Sequence, residues 1–134
     1  MKNKLLILLS IIIASCSSDD NTPIVEDSFK YKGYYEGTFN RYGNTTTGNG
    51  TITFIIDSEG DIEGSYNVEY LSNFSILGTA DNSGNVYMHP TSLQINYAAH
   101  FEGTISNDTI TGTWEDSSRN WEGTWIAVKK YDVY

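Results

Sequence analysis

Phe101-Glu102-Gly103-Thr104-Ile105-Ser106-Asn107-Asp108-Thr109-Ile110-Thr111-Gly112-Thr113-Trp114 is the stretch that decides the fold. It holds the pattern apolar-x-Gly-[Ser/Thr]-apolar twice, with Asn107-Asp108 between the copies. Within each copy the two apolar residues and the glycine fall on one face of an extended chain, and Glu, Ser or Thr falls on the other. That is the alternation of a sheet with one face packed and one face wet. Working outward, four further copies appear: Tyr35-Glu36-Gly37-Thr38-Phe39, Ile62-Glu63-Gly64-Ser65-Tyr66, Ile76-Leu77-Gly78-Thr79-Ala80 and Trp121-Glu122-Gly123-Thr124-Trp125. A glycine in mid-strand weakens a strand taken alone. Its recurrence points to strands that bend sharply and leave room for rings on their neighbours, as a closing sheet requires.

Turn residues punctuate the alternation at hairpin spacing: Ser58-Glu59-Gly60-Asp61, Ser72-Asn73, Asp81-Asn82-Ser83-Gly84-Asn85, Asn107-Asp108 and Asp116-Ser117-Ser118-Arg119-Asn120. Eight strands are predicted near 33–41, 51–57, 62–71, 74–80, 85–89, 93–106, 109–115 and 121–129. Residues 43–50 read as a loop, and His89-Pro90-Thr91-Ser92 as an irregular connection, because Pro90 has no N–H to give a ladder. No long helix is predicted. The expected fold is all-β, an antiparallel up-and-down meander of about eight strands closing into a small barrel. Its inner face carries Tyr35, Phe39, Phe54, Tyr66, Tyr97, Phe101, Trp114, Trp121 and Trp125. The Gly-Thr-Trp signatures, meander and length resemble lipocalin-like and avidin-like small barrels over residues 33–129. The resemblance implies the fold and no particular functional residue, since the place of the early Gly-x-Trp of lipocalins reads Gly33-Tyr34-Tyr35.

The N-terminus has another logic. Lys2 and Lys4 precede an apolar stretch, Leu5 to Ala14, interrupted only by Ser10. It is shorter than the roughly 20 residues a spanning helix needs and suits a signal peptide. Ile13-Ala14-Ser15-Cys16 resembles the lipobox of bacterial lipoproteins, which implies cleavage before Cys16 and diacylglycerol on its thiol. Ser17-Ser18-Asp19-Asp20-Asn21 resembles the acidic export signal of surface lipoproteins, which implies an outer-membrane anchor with the domain at the cell surface; read instead as a plain solvated linker, it leaves the periplasmic face open. The expected organisation is a signal peptide over 1–15, lipidated Cys16 and a flexible acidic tether over 16–30, and the barrel over 31–134. At about 3.4 Å per residue the tether would hold the domain as far as ~40 Å from the membrane.

Composition bounds the chemistry. The chain carries eight basic and seventeen acidic residues, net −9; losing Lys2 and Lys4 leaves six basic against seventeen acidic, net −11. Such a chain is a poor ligand for nucleic acid, whose phosphates need clustered Lys and Arg. With a single Cys there is no internal disulfide and no Cys-rich zinc site. No nucleophile elbow or phosphate-cradling loop appears, so no enzyme and no cofactor is expected. His100 and Glu102, two apart on a strand, share a face without a visible third metal ligand. The acidic run Asp57-Ser58-Glu59-Gly60-Asp61-Ile62-Glu63 places its glycine fourth, where a calcium loop of the EF-hand type needs it sixth, and reads as a charged turn. The inner rings either fill the barrel or line a cup for one small apolar ligand. Tyr66, Tyr97, Trp114 and Trp125 are the candidate cup residues, and Tyr34, Tyr70 and Tyr87 are exposed aromatics suited to a glycan. The expected function is capture of a small hydrophobic ligand or glycan. The alternative is a protein partner met by loops near 43–50 and 89–92.

Overall fold

The computed structural model describes residues 29–43, 45–91 and 98–134. Eight strands follow in chain order: β1 (Gly33–Arg41), β2 (Gly50–Ile56), β3 (Asp61–Val68), β4 (Asn73–Ala80), β5 (Asn85–Pro90), β6 (Ala99–Ser106), β7 (Thr109–Asp116) and β8 (Trp121–Tyr131). Each pairs antiparallel with the next, and β8 returns to β1, so the sheet is a closed barrel. No strand edge is left over. Cys16 and the whole leader and tether through residue 28 lie outside the described residues, as do Tyr97 and the predicted first part of the sixth strand, 93–97.

Several strand ends shift by a residue or two from expectation, and two of the differences have a clear local cause. β3 stops at Val68 rather than continuing to residue 71, because Tyr70 takes a left-handed φ of 66° and the Leu71 N–H turns back to the Val68 carbonyl. Pro90, expected in an irregular connection, is the last residue of β5 opposite Ile76. At a strand terminus its missing N–H interrupts nothing, and Thr91 carries the next backbone bond to Ser75.

The repeated motif explains the closure. The Trp114 ring of β7 lies where a Cβ on Gly123 of β8 would stand, 2.7 Å from the indole Nε1, and that N–H donates to the Asn40 carbonyl at 3.1 Å. Trp125 does the same to Gly103, and donates to the Glu102 carbonyl at 2.8 Å. Each tryptophan thus covers another strand's motif glycine and satisfies its buried N–H on a nearby backbone oxygen.

The two ends are unlike. The near end, where the chain enters, carries the turns after β2, β4 and β6. Asp57 and Asp81 build the first two turns identically, each carboxylate accepting the N–H groups two and four residues on. Gly60 and Gly84 follow at φ 91° and 88°. Phe29 and Tyr31 lie across these glycines, and the Tyr35 hydroxyl donates to the Tyr31 carbonyl at 2.8 Å, so the chain's own entering segment packs over this end. Phe29, on the tether side of the expected boundary, packs against the core.

Candidate functional site

Inside the barrel the rings touch one another. Phe101 lies 5.5 Å from Phe39, 5.4 Å from Tyr66, 5.9 Å from Trp125 and 6.3 Å from Trp114, centroid to centroid. Phe39 meets Trp114 edge-on at 5.2 Å, and Tyr35 stacks on Phe54 at 5.3 Å. These are contact distances for aromatic pairs. Of the four candidate cup residues, Tyr66, Trp114 and Trp125 are buried members of this single ring cluster; Tyr97 lies outside the described residues. Trp121, expected inside, is half-buried at the far end.

The far end is where unusual surface chemistry gathers. After β7, Asp116 is buried, and its Oδ1 accepts from the Ser118 backbone and hydroxyl while Oδ2 pairs with Arg119 at 2.8 Å. This fixes the turn that delivers Trp121. The Arg119 guanidinium lies 5.3 Å from the Trp121 ring and that of Arg41 lies 4.8 Å from it. Both arginines of the chain thus meet one indole. The loop after β1 is moulded onto the same ring. Gly48, at φ 87°, sits so close that a Cβ would come within 2.9 Å of Arg41 Cδ and 3.0 Å of the indole. Asn49 holds that loop, accepting from the Arg41 N–H and donating to the Thr45 carbonyl. The Asn49 carbonyl accepts from the Glu69 N–H at 2.8 Å, which joins the loop to the β3–β4 hairpin. At that hairpin's tip Tyr70 is 81% exposed in its left-handed conformation, with Leu71 exposed beside it. Exposed Tyr42 completes a rim in which Tyr42, Tyr70 and Leu71 stand out around the partly buried Trp121, Arg41 and Arg119.

The other candidates resolve into local structure. His100 does not look to Glu102: its Nδ1 lies 3.0 Å from the Tyr87 hydroxyl and the two rings stack at 6.0 Å. Among the described residues no group of three His, Cys, Asp or Glu could hold a metal. The Asp57 carboxylate is occupied by turn N–H groups, which accounts for the acidic run as a hairpin. Tyr34 is stacked on Tyr131 at 4.9 Å. Tyr87 borders an open outer groove of about 560 Å³ with Glu102, Thr104, Thr111 and Thr113. Sequence alone does not single out Arg41, Leu71 or Arg119. The available signal is compositional, since the chain's two arginines both flank far-end loops. No protein family and no curated protein matches the chain.

Proposed function

We propose that this protein is a lipoprotein, anchored through Cys16 at the bacterial outer membrane, whose barrel presents its far-end rim to a protein partner at the cell surface. One observation carries the choice of partner: the described candidate cup residues, Tyr66, Trp114 and Trp125, are packed with Phe39 and Phe101 in one ring cluster. A filled barrel is a rigid pedestal, and recognition then belongs to its surface. Trp, Tyr and Arg are the residue types that dominate protein-binding hot spots, and the rim gathers Trp121, Tyr42, Tyr70, Arg41 and Arg119. The described chain enters the barrel at the end opposite the rim, so an anchor on that side would leave the rim free.

The test is site-specific photocrosslinking on cells from positions 70 and 42, with position 104 on the outer wall as control. A discrete adduct at 70 and 42 and none at 104 is expected; equal or absent adducts at all three would remove the rim from consideration. Anchoring is tested by fatty-acid labelling, which Cys16→Ala should abolish. A glycan is the second reading, favoured by the hydroxyl-lined groove beside Tyr87 and Glu102. A glycan array bound by the protein and lost on Tyr87→Ala would shift the function there.

A further inference from the structure

Outward positions of a soluble antiparallel barrel are ordinarily polar. Here one wall departs from that. Tyr131 opposes Tyr34, Tyr34 opposes Ile55, Ile55 opposes Glu63, and Glu63 opposes Leu77, a continuous outward row over five strands. Ile126 and Val128 of β8 extend it. Tyr131 is 58% exposed, and Ile55, Leu77, Ile126 and Val128 are all exposed. On β6 and β7 the outward positions are instead His100, Glu102, Thr104, Thr111, Thr113 and Glu115. The part of the row on β8, β1 and β2, with Ile126 and Val128, shares one wall, where Glu36, Thr38 and Thr53 stand between the apolar side chains.

Its setting names the occupant. The described chain begins at Phe29, at the same end as Tyr34 and Tyr131, thirteen residues after the proposed lipid on Cys16. All four lysines downstream of Cys16, namely Lys30, Lys32, Lys129 and Lys130, are at this end, and both arginines are at the other. Tyrosines with apolar neighbours and lysine stems are the side chains that settle at the level of lipid headgroups. Charge there leans acidic: Lys129 pairs with Asp132 at 2.8 Å and Lys130 lies 3.9 Å from Glu36, while the turns add Asp57, Glu59, Asp61, Asp81 and Asp108. We infer that the β8–β1–β2 wall rests on the lipid bilayer surface, tyrosines at headgroup depth, with no demand for anionic lipid. This rests on Cys16 being the anchor. Tethering supplies what a small wall lacks, because the linked surface is present at about millimolar effective concentration.

The test couples the chain from residue 16 onward, through its one cysteine, to maleimide lipid in phosphatidylcholine vesicles, so the chemistry provides the anchor whatever the cell does. Hydroxyl-radical footprinting then compares Tyr34 and Tyr131 with Tyr42 and Tyr70 on coupled and free protein. Labelling of the first pair should fall roughly threefold on vesicles, as for a wall in contact about two-thirds of the time, with the second pair unchanged. Ile126→Ser with Val128→Ser, both exposed and remote from the core, should restore it. Equal labelling of all four tyrosines on coupled and free protein overturns the proposal. So does protection that grows with concentration of the free protein, which would make a second copy the occupant. Loss of fatty-acid labelling in cells would count against the natural anchor alone.

Discussion

Phe101→Ala is the sharpest probe of a filled interior. The ring is fully buried and meets Phe39, Tyr66, Trp114 and Trp125 within 5.4–6.3 Å. Truncating such a ring costs about 3–5 kcal/mol, part lost transfer energy and part the hole left behind. A domain of this size is stable by roughly 5–15 kcal/mol, so the variant should still fold at 25 °C. At roughly 4–8 °C per kcal/mol its Tm should fall by about 12–40 °C. The hole would be lined by rings and closed by the barrel, and such apolar cavities stay dry and accept benzene. Benzene at ten to a hundred times its Kd should return about 1.4–2.7 kcal/mol, several degrees of Tm. Calorimetry of both proteins, with and without benzene, reads all of this. The parent should show no benzene shift. A shift in the parent equal to the variant's, or a truncation cost under about 1 kcal/mol, would mean the lumen was open and the reasoning wrong.

Gly60→Ala should destabilise more than Gly84→Ala in urea, each by at least the roughly 1–3 kcal/mol of a left-handed backbone without glycine. The order follows because a Cβ at Gly60 meets the Ala80 carbonyl at 2.5 Å, whereas at Gly84 the nearest atoms are 3.0 and 3.1 Å away. Burial first, then the Asp108 and Asp132 carboxylates, pushes the Tyr35 phenol from 10.0 up to about 12. The fold therefore favours the neutral form, and this contribution to stability is complete below pH 10 and lost as pH rises through about 12. Tyr35→Phe should flatten that alkaline decline in denaturation midpoints; an unchanged slope would assign it elsewhere. The Asp81 carboxyl, held below its usual 3.8 first by the Asn85 side chain and then by backbone N–H groups, should titrate below 3.8 by NMR. Its contribution is present above 3.8 and fades as pH falls through the lower folded value, so a midpoint at or above 3.8 would refute the turn geometry.

The barrel was legible because its signal is periodic. Six Gly-[Ser/Thr] motifs set strand parity, and parity decides which residues face inward, so Tyr35, Phe39, Trp114 and Trp125 fall inside as expected. Loop structure has no period. Nothing local announces that Tyr70 adopts φ 66°, and so the strand was expected to run past Val68. The rim was hidden for a related reason: Trp121 is far in sequence from Arg41 and Gly48, and meets them only when β8 pairs with β1. Whether rings fill or line a lumen was equally closed to sequence, because parity gives the side of a sheet and never the distance across it. The outward apolar row stayed invisible too, since it is one or two residues per strand and exists only in the register.

The pairing of β1 with β8 also constrains how the chain comes to be folded. Partners such as Phe39 and Trp125 are separated by most of the domain, and the loop between them must be gathered before that ladder forms. Contacts so distant in sequence slow folding. Each hairpin can form as it emerges, yet the ladder that completes the barrel waits for the last strand. A chain built this way stays open, its first strand unpaired on one edge, until its last strand arrives to close the ring.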